Sequence, residues 1–388
     1  MSKLNIVDNL VEQIANADYR NFSLMSGSLG RVLLLTSYRN NYDDVVKSDL
    51  KKAVLFLDKF NYFNDTSFCN GMAGLAWLLR SNQRNFYEIE MSKTFWRKID
   101  NCIVKSIYDD IQNHNYDYLH GAIGKLHYLK LVGGDIYYNS NNAFIKHLDN
   151  SKIVERKGVS WRKPLINHTK GQYSKAIKYD IGLAHGVPSI LNYLAEVYLI
   201  EKEQSLAYSL ICNSVDFLLS LKSKHSTSSI YPSFIFEDNE FNESRLAWCY
   251  GDLGVAYAIC KAAIVCQRND WLEEAIHITL ETCKRKSHKS TLVFDSSLCH
   301  GAAGLGLLYF KMFELTGNQH FRNVSIYWNS VVGEMLITSE NQCEYKYYDS
   351  INGFESKMGL LDGLIGTVFS ILNMRQQCDK NWIHSLSL

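Results

Sequence analysis

An all-α protein built as seven copies of one helical unit is what this sequence predicts, on three observations. A glycine opens a short loop at Gly27, Gly71, Gly121, Gly186, Gly251, Gly301 and Gly363. Six of these loops carry a second glycine three residues on (Gly30, Gly74, Gly124, Gly254, Gly304 and Gly366), whereas the fourth has Ser189 there. Each loop runs into apolar residues at helical spacing, as in Leu75-Ala76-Trp77-Leu78-Leu79 and Leu305-Gly306-Leu307-Leu308-Tyr309. A signature returning at intervals of 44, 50, 65, 65, 50 and 62 residues marks a repeat architecture. Only three prolines, Pro164, Pro188 and Pro232, interrupt the 388 residues, which suits a chain made mostly of helices.

The helix leaving each glycine loop is apolar around most of its circumference and is expected to be buried on all sides. Between the loops lie segments with one polar and one apolar face: Asp44 to Phe60, Ser92 to Gln112, Gln204 to Lys222, Asp270 to Lys284 and Gln319 to Leu336. Each unit therefore reads as a helix pair, the apolar member inside and the amphipathic member returning outside. Seven such pairs form either an open superhelix or a closed ring, and periodicity alone does not decide between them. The repeats run from about Leu24 to Ser370, so residues 1–388 read as a single domain. Three units carry extra polar and aromatic residues just before a glycine loop, at Ser151 to Tyr179, His225 to Arg245 and Asn341 to Met358. They include short β-like pieces such as Ile230-Tyr231-Pro232-Ser233-Phe234-Ile235. Entering at the loop end of the inner helices, they are expected to build up one face, the usual binding side of a repeat protein.

The 41 basic and 40 acidic residues nearly cancel and form no basic stripe, which disfavours a nucleic-acid partner. No apolar run is long enough to span a bilayer, and Met1-Ser2-Lys3-Leu4-Asn5 is not a signal peptide. The expectation is a cytoplasmic protein, membrane-associated only through a complex. There its ten cysteines are thiols or metal ligands rather than a disulfide framework. Cys102, Cys212, Cys260, Cys266 and Cys283 fall inside helical stretches and read as core residues.

Aligned on the first glycine, the position two before it reads Met25, Cys69, Leu119, Ala184, Cys249, Cys299 and Leu361. The position one before reads Ser26, Asn70, His120, His185, Tyr250, His300 and Asp362. In a closed ring these columns face a common cavity. Cys249, Cys299 and His300 come from neighbouring units, and two thiolates with one imidazole make a tetrahedral Zn²⁺ site with one position open, the arrangement of a catalytic zinc. The plainer reading is a chance Cys-His dipeptide among core cysteines. Against it, both cysteines share one column of adjacent repeats. Cys69 shares the column but lies too far round the ring to reach the same metal, and reads as a packed thiol. His185 is either a structural histidine or a catalyst facing the metal, and His120 is a weaker candidate in the same column. Asp117 alone would read as an N-cap for the helix after Gly121. Arg245 is either a surface charge or a ligand for a carbonyl or enolate oxygen.

Taken together, Gly182-Leu183-Ala184-His185-Gly186, Trp248-Cys249-Tyr250-Gly251 and Cys299-His300-Gly301, in that order inside seven glycine repeats, resemble the LanC family, the lanthipeptide cyclases. The resemblance covers nearly the whole chain. It implies a closed α/α toroid of seven helix pairs, with one Zn²⁺ per chain bound by Cys249, Cys299 and His300. It implies a catalytic group of His185, Asp117 and Arg245, with Tyr250 lining the metal site. The implied reaction adds a peptide cysteine thiol to dehydroalanine or dehydrobutyrine, closing a thioether ring. A free thiol is only a few per cent ionised at neutral pH, and zinc removes that obstacle. His185 would give the α-carbon its proton, Asp117 would support His185 and Arg245 would stabilise the enolate oxygen. The implied partner is a dehydrated precursor peptide with its leader; whether a dehydratase and a transporter join a complex stays open. Ser189 in the fourth loop and Leu246 before Ala247-Trp248-Cys249 depart from the family pattern without touching a metal ligand.

Three alternatives stand beside this reading. The related eukaryotic LanC-like proteins add glutathione to dehydrated residues and would use the same site. A helical-repeat scaffold would hold structural zinc or none. An α/α-barrel glycosidase needs two cavity carboxylates, and the loop columns offer only Asp362 and, further out, Asp117.

Overall fold

The computed structural model describes residues 3–388 apart from 20, 39–41, 60–64, 82–90, 163–176, 201–204, 224–227, 239–240, 338–345 and 350–351. In its first half the helices are α1 (Lys3–Asn16), α2 (Ser28–Tyr38), α3 (Asp43–Lys59), α4 (Met72–Ser81), α5 (Lys93–Gln112), α6 (Ala122–Val132) and α7 (Gly134–Ser151). Strands β1 (Ile153–Val154), β2 (Val159–Ser160) and β3 (Ile177–Asp180) then precede α8 (Val187–Ile200) and α9 (Ser205–Ser220). Next come β4 (Pro232–Phe236), β5 (Phe241–Glu243), α10 (Asp252–Cys266), α11 (Asn269–Cys283) and the short α12 (His288–Thr291). The chain closes with α13 (Ala302–Thr316), α14 (Gln319–Ile337), the hairpin β6 (Lys346–Asp349) and β7 (Gly353–Ser356), and α15 (Leu364–Met374). A 3-10 helix, Lys380–Leu386, follows.

Helices α2, α4, α6, α8, α10, α13 and α15 leave the seven glycine loops. They bury nearly every side: α13 hides Ala302 to Tyr309 without a break, whereas the outer α5 hides only the stripe Ile99, Asp100, Ile103 and Ile107. The glycines follow from how tightly each loop folds on itself. A β-carbon on Gly301 would lie 2.3 Å from the Ser297 nitrogen, and one on Gly124 would lie 1.9 Å from the Tyr118 oxygen.

Packing of α15 against α2 closes the ring. At the loops the closure is a circular ladder of backbone hydrogen bonds along the column two before the glycine. The Met25 amide donates to Cys69, Cys69 to Leu119, Ala184 to Cys249, Cys249 to Cys299, Cys299 to Leu361 and Leu361 back to Met25. The chain is thus a closed α/α toroid of seven helix pairs, as its resemblance implied. One detail differs from the expected order of the pairs. No outer helix follows α15; its partner is α1, which packs against α15 and α2, so the seventh pair joins both chain ends.

The terminal 3-10 helix enters at the ends of the inner helices away from the loops, where the Asp379 amide donates to Ser37 O. Trp382 stacks on Phe369 at 4.5 Å, Tyr118 Oη donates to Ser385 O and Asn192 Nδ2 to Ser387 O. This segment fills the middle of the ring beneath the loops.

All three predicted insertions border glycine loops, although residues 163–176, 225–227, 239–240, 341–345 and 350–351 of them lie outside the described residues. The first and second join: β3 pairs antiparallel with β4, and β4 with β5. The third forms the β6–β7 hairpin. Among the described residues no helix is long and apolar enough to cross a membrane. The described cysteines are free thiols, with Cys260 and Cys283 buried and Cys102, Cys212 and Cys266 half-buried.

Candidate active site

Six residues before each loop glycine stands a further column, of which the sequence pointed out only Arg245: Asn21, Asp65, Asn115, Asp180, Arg245, Asp295 and Lys357. At four of these the side-chain Oδ1 accepts the amide two residues on, an Asx-turn that starts the loop. The bonds are Ser23 N to Asn21, Ser67 N to Asp65, Gly182 N to Asp180 and Ser297 N to Asp295. In the third loop the same turn is made two residues later, by Asp117, whose Oδ1 accepts the amides of Leu119 and His120. In the fifth, Arg245 takes the position. The column of oxygen-bearing residues was readable in the sequence; what their second oxygens would do was not.

Those second oxygens face the site. Asp117 Oδ2 lies 2.7 Å from His185 Nδ1, and Asp117 is fully buried. Tyr250 Oη donates to Asp180 Oδ2 at 2.9 Å. His300 Nε2 stands 3.5 Å from Asp295 Oδ2, which also accepts the Tyr348 amide of β6 at 2.8 Å. Three carboxylates thus each serve a loop amide with one oxygen and a site side chain with the other. Asp117, read on sequence alone as an N-cap for the helix after Gly121, is not one: Gly121 itself is the N-cap of α6, without a side-chain cap, and Asp117 makes its turn inside the loop and spans two units.

The thiols of Cys249 and Cys299 hydrogen-bond to one another. That bond, opposed by burial and aided by the charges of His300, Arg245 and His185, draws Cys249 below the usual thiol range. The same bond, with burial and the Cys249 charge, pushes Cys299 well up. His300 is raised: burial opposes its charge, but the Asp295 carboxylate and then Cys249 outweigh that. Asp295 is lowered, burial again being outweighed, here by His300 and the Ser297 amide. Among the described residues no three His, Cys, Asp or Glu side chains are already drawn together as a metal cage. The two thiols and His300 are neighbours, with the His300 Nε2 turned to Asp295.

His185 lies with its ring 5.9 Å from Tyr250 and 6.2 Å from His120, parallel to the latter within 6°. Tyr250 also packs on Phe234 of β4 at 5.1 Å, so the inserted sheet forms a wall of the site. Burial and the Asp180 charge hold the Tyr250 phenol well above its ordinary pKa, leaving it a hydrogen-bond donor. Arg245 is half-buried, and its charge acts on Cys249, Cys299 and His300. Cys69 is buried, as a packed thiol should be, and has a specific partner: its Sγ lies 3.2 Å from His120 Nδ1. Burial raises the Cys69 thiol far above its ordinary value, so it is no nucleophile. Asp362 pairs with Lys357 at 3.5 Å. The glycosidase alternative finds no facing pair of free carboxylates here, because Asp117 is committed to His185 and Asp362 to Lys357.

Comparison with known proteins adds four findings. The sequence model of the family described as Lanthionine synthetase C-like protein matches residues 18–386. The nisin biosynthesis protein NisC of Lactococcus lactis subsp. lactis is 22% identical over 403 residues, covering 95% of this chain and 91% of its own. The glutathione S-transferase LANCL1 of Danio rerio is 24% identical over 201 residues, 51% of this chain and 46% of its own. Among solved structures, nisin cyclase superposes with a TM-score of 0.78 at 18% identity, covering 99% of this chain and 98% of that one, which shows a shared fold.

Proposed function

Since the chain belongs to the lanthionine synthetase C-like family, we propose that it is a zinc-dependent lanthipeptide cyclase. It would add peptide cysteine thiols to dehydroalanine or dehydrobutyrine to make lanthionine and methyllanthionine bridges. The observation that carries this reading is the Asp117–His185 pair, 2.7 Å apart, set beside Cys249 and Cys299 by the ladder in which the Ala184 amide donates to Cys249 and the Cys249 amide to Cys299. A nucleophile-binding pole and a proton-donating pole in one loop-face site are what a thiol addition needs.

The residues fit a zinc ion by the chemistry of the donor set. Thiolates and imidazole are zinc's preferred donors, Cys249 is drawn toward its thiolate form, and a histidine with one nitrogen on a buried carboxylate has the other to offer. Cys249, Cys299 and His300 would hold the ion. Bound there, zinc would supply a substrate thiol already deprotonated at neutral pH. The electron pair on that sulfur forms the new bond to the β-carbon as the carbon–carbon π bond breaks toward the carbonyl oxygen. Arg245 would stabilise the enolate oxygen. His185 would deliver a proton to the α-carbon and regain one from solvent, while Asp117 fixes the ring through Nδ1 and balances its charge. Tyr250, anchored by Asp180 and Phe234, shapes the wall beside His185.

The partner is a dehydrated precursor peptide, its leader engaging the loop face built up by the insertions. The partial match to the zebrafish transferase supports a second reading, addition of glutathione to dehydrated residues at the same site. Incubation with a dehydrated precursor, thiol alkylation and mass spectrometry tests both. A cyclase leaves the peptide mass unchanged but protects its cysteines from alkylation. A transferase adds glutathione to a dehydrated peptide lacking cysteine. A scaffold does neither and retains its behaviour when Cys299 is replaced.

A further inference from the structure

Asp295 carries more contacts than its turn requires. An Asx-turn needs one acceptor oxygen, and Asn21 makes the same turn in the first loop with its amide oxygen. Asp295 spends Oδ1 on the Ser297 amide in that way. Its Oδ2 is placed between the Tyr348 amide at 2.8 Å and His300 Nε2 at 3.5 Å. The side chain is fully buried, so this oxygen has protein neighbours in place of water. This hydrogen bond and this ion-pair contact together tie the β6–β7 hairpin of the third insertion to a residue proposed to bind the metal. The hairpin is itself pinned to the sixth loop: Tyr347 Oη shares a hydrogen bond with Thr367 Oγ1, which donates to Ser296 O.

We infer that Asp295 is a positioning residue for His300: held against the hairpin, it fixes Nε2 as the protonated nitrogen and leaves Nδ1 to bind the metal. The inference rests on the zinc reading of the site. A metal-bound histidine is oriented and made more basic when its other nitrogen donates to a carboxylate, and losing such a partner costs roughly 10- to 100-fold in metal affinity. A carboxylate that merely capped the loop would not do this, since an amide caps Ser23 equally well.

Asp295→Asn separates the two roles, because asparagine keeps the turn acceptor and loses the second oxygen. Purified wild type and D295N would be compared for folding by circular dichroism and for zinc affinity by competition with a chromogenic chelator. D295N is expected to fold and to bind zinc about 10- to 100-fold more weakly. Independently, wild type labelled with ¹⁵N-histidine and loaded with ¹¹³Cd should show cadmium coupling to His300 Nδ1 and a proton on Nε2. The labelled wild-type spectrum decides alone if D295N fails to fold. Folded D295N with wild-type affinity, or cadmium coupled to Nε2, overturns the inference while the zinc reading survives. A wild type that binds no zinc overturns both.

Discussion

Asp117 Oδ2 and His185 Nδ1, 2.7 Å apart, join the third and fourth units where the backbone ladder of the ring has its break. At the other six junctions a loop amide donates to the next unit's carbonyl. Here the Leu119 amide turns back to Asp117 Oδ1, and the side-chain pair spans the junction instead. Among the described residues, the proposed proton donor therefore sits at the ladder junction that a side-chain pair bridges in place of a main-chain bond.

Replacing His185 with Asn should leave folding and zinc content intact and slow ring closure by about 100- to 10,000-fold, the usual worth of positioned proton transfer. Asp117→Asn keeps the acceptor for the Leu119 and His120 amides and should slow closure with little loss of stability. Asp117→Ala orphans two buried amides and should cost about 1–3 kcal/mol or more besides. Single-turnover cyclisation alongside thermal melts separates these outcomes. Full activity in H185N would remove His185 from the mechanism.

Metal analysis of the purified protein should find about one zinc per chain, falling to near none in C249A and C299A. Cys69→Ala should retain the zinc, because its thiol contacts His120 and is buried on the far side of the site. Zinc lost from C69A but kept in C299A would move the metal to another place.

Acid should expose a second charged cluster. Glu196 on α8 lies 3.5 Å from both Lys130 and Lys261. Burial favours its neutral form, but the two ammonium groups prevail and hold it down to about 2. Lys261 is lowered, since burial works against its own charge and it shares that one carboxylate with Lys130. A depressed carboxylate stabilises the fold fully above its unfolded value of 4.5 and loses that contribution as pH falls toward 2. Denaturant melts of wild type between pH 5 and pH 2 should therefore lose roughly 2–3 kcal/mol through this group, a loss absent from Glu196→Gln. Parallel acid limbs for the two proteins would show that Glu196 is not the titrating group.

Trp382→Ala tests the segment that fills the ring. The side chain is fully buried and stacked on Phe369, so its removal should cost about 3–5 kcal/mol. A variant melting within a degree of wild type would mean that the chain end contributes little to holding the ring.

The repeat, the inner and outer helices and the loop face are written locally in the chain, because glycine where no β-carbon fits and apolar residues all round a helix are local demands. The columns carrying Cys249, Cys299, His300 and His185 were equally legible, since each repeat places them at one offset from its glycine. Closure of the ring came from family resemblance, as each α-helical unit looks alike whether or not the last meets the first. Packing decided what had no local signature. Helix α1 completes the pair of α15, β3 joins β4 across some fifty residues of chain, and the end of the chain fills the centre. Above all, the second oxygens of Asp117, Asp180 and Asp295 acquire their partners only when units meet. An Asx-turn fixes one carboxylate oxygen within two residues; the other is spent on whatever the fold brings alongside.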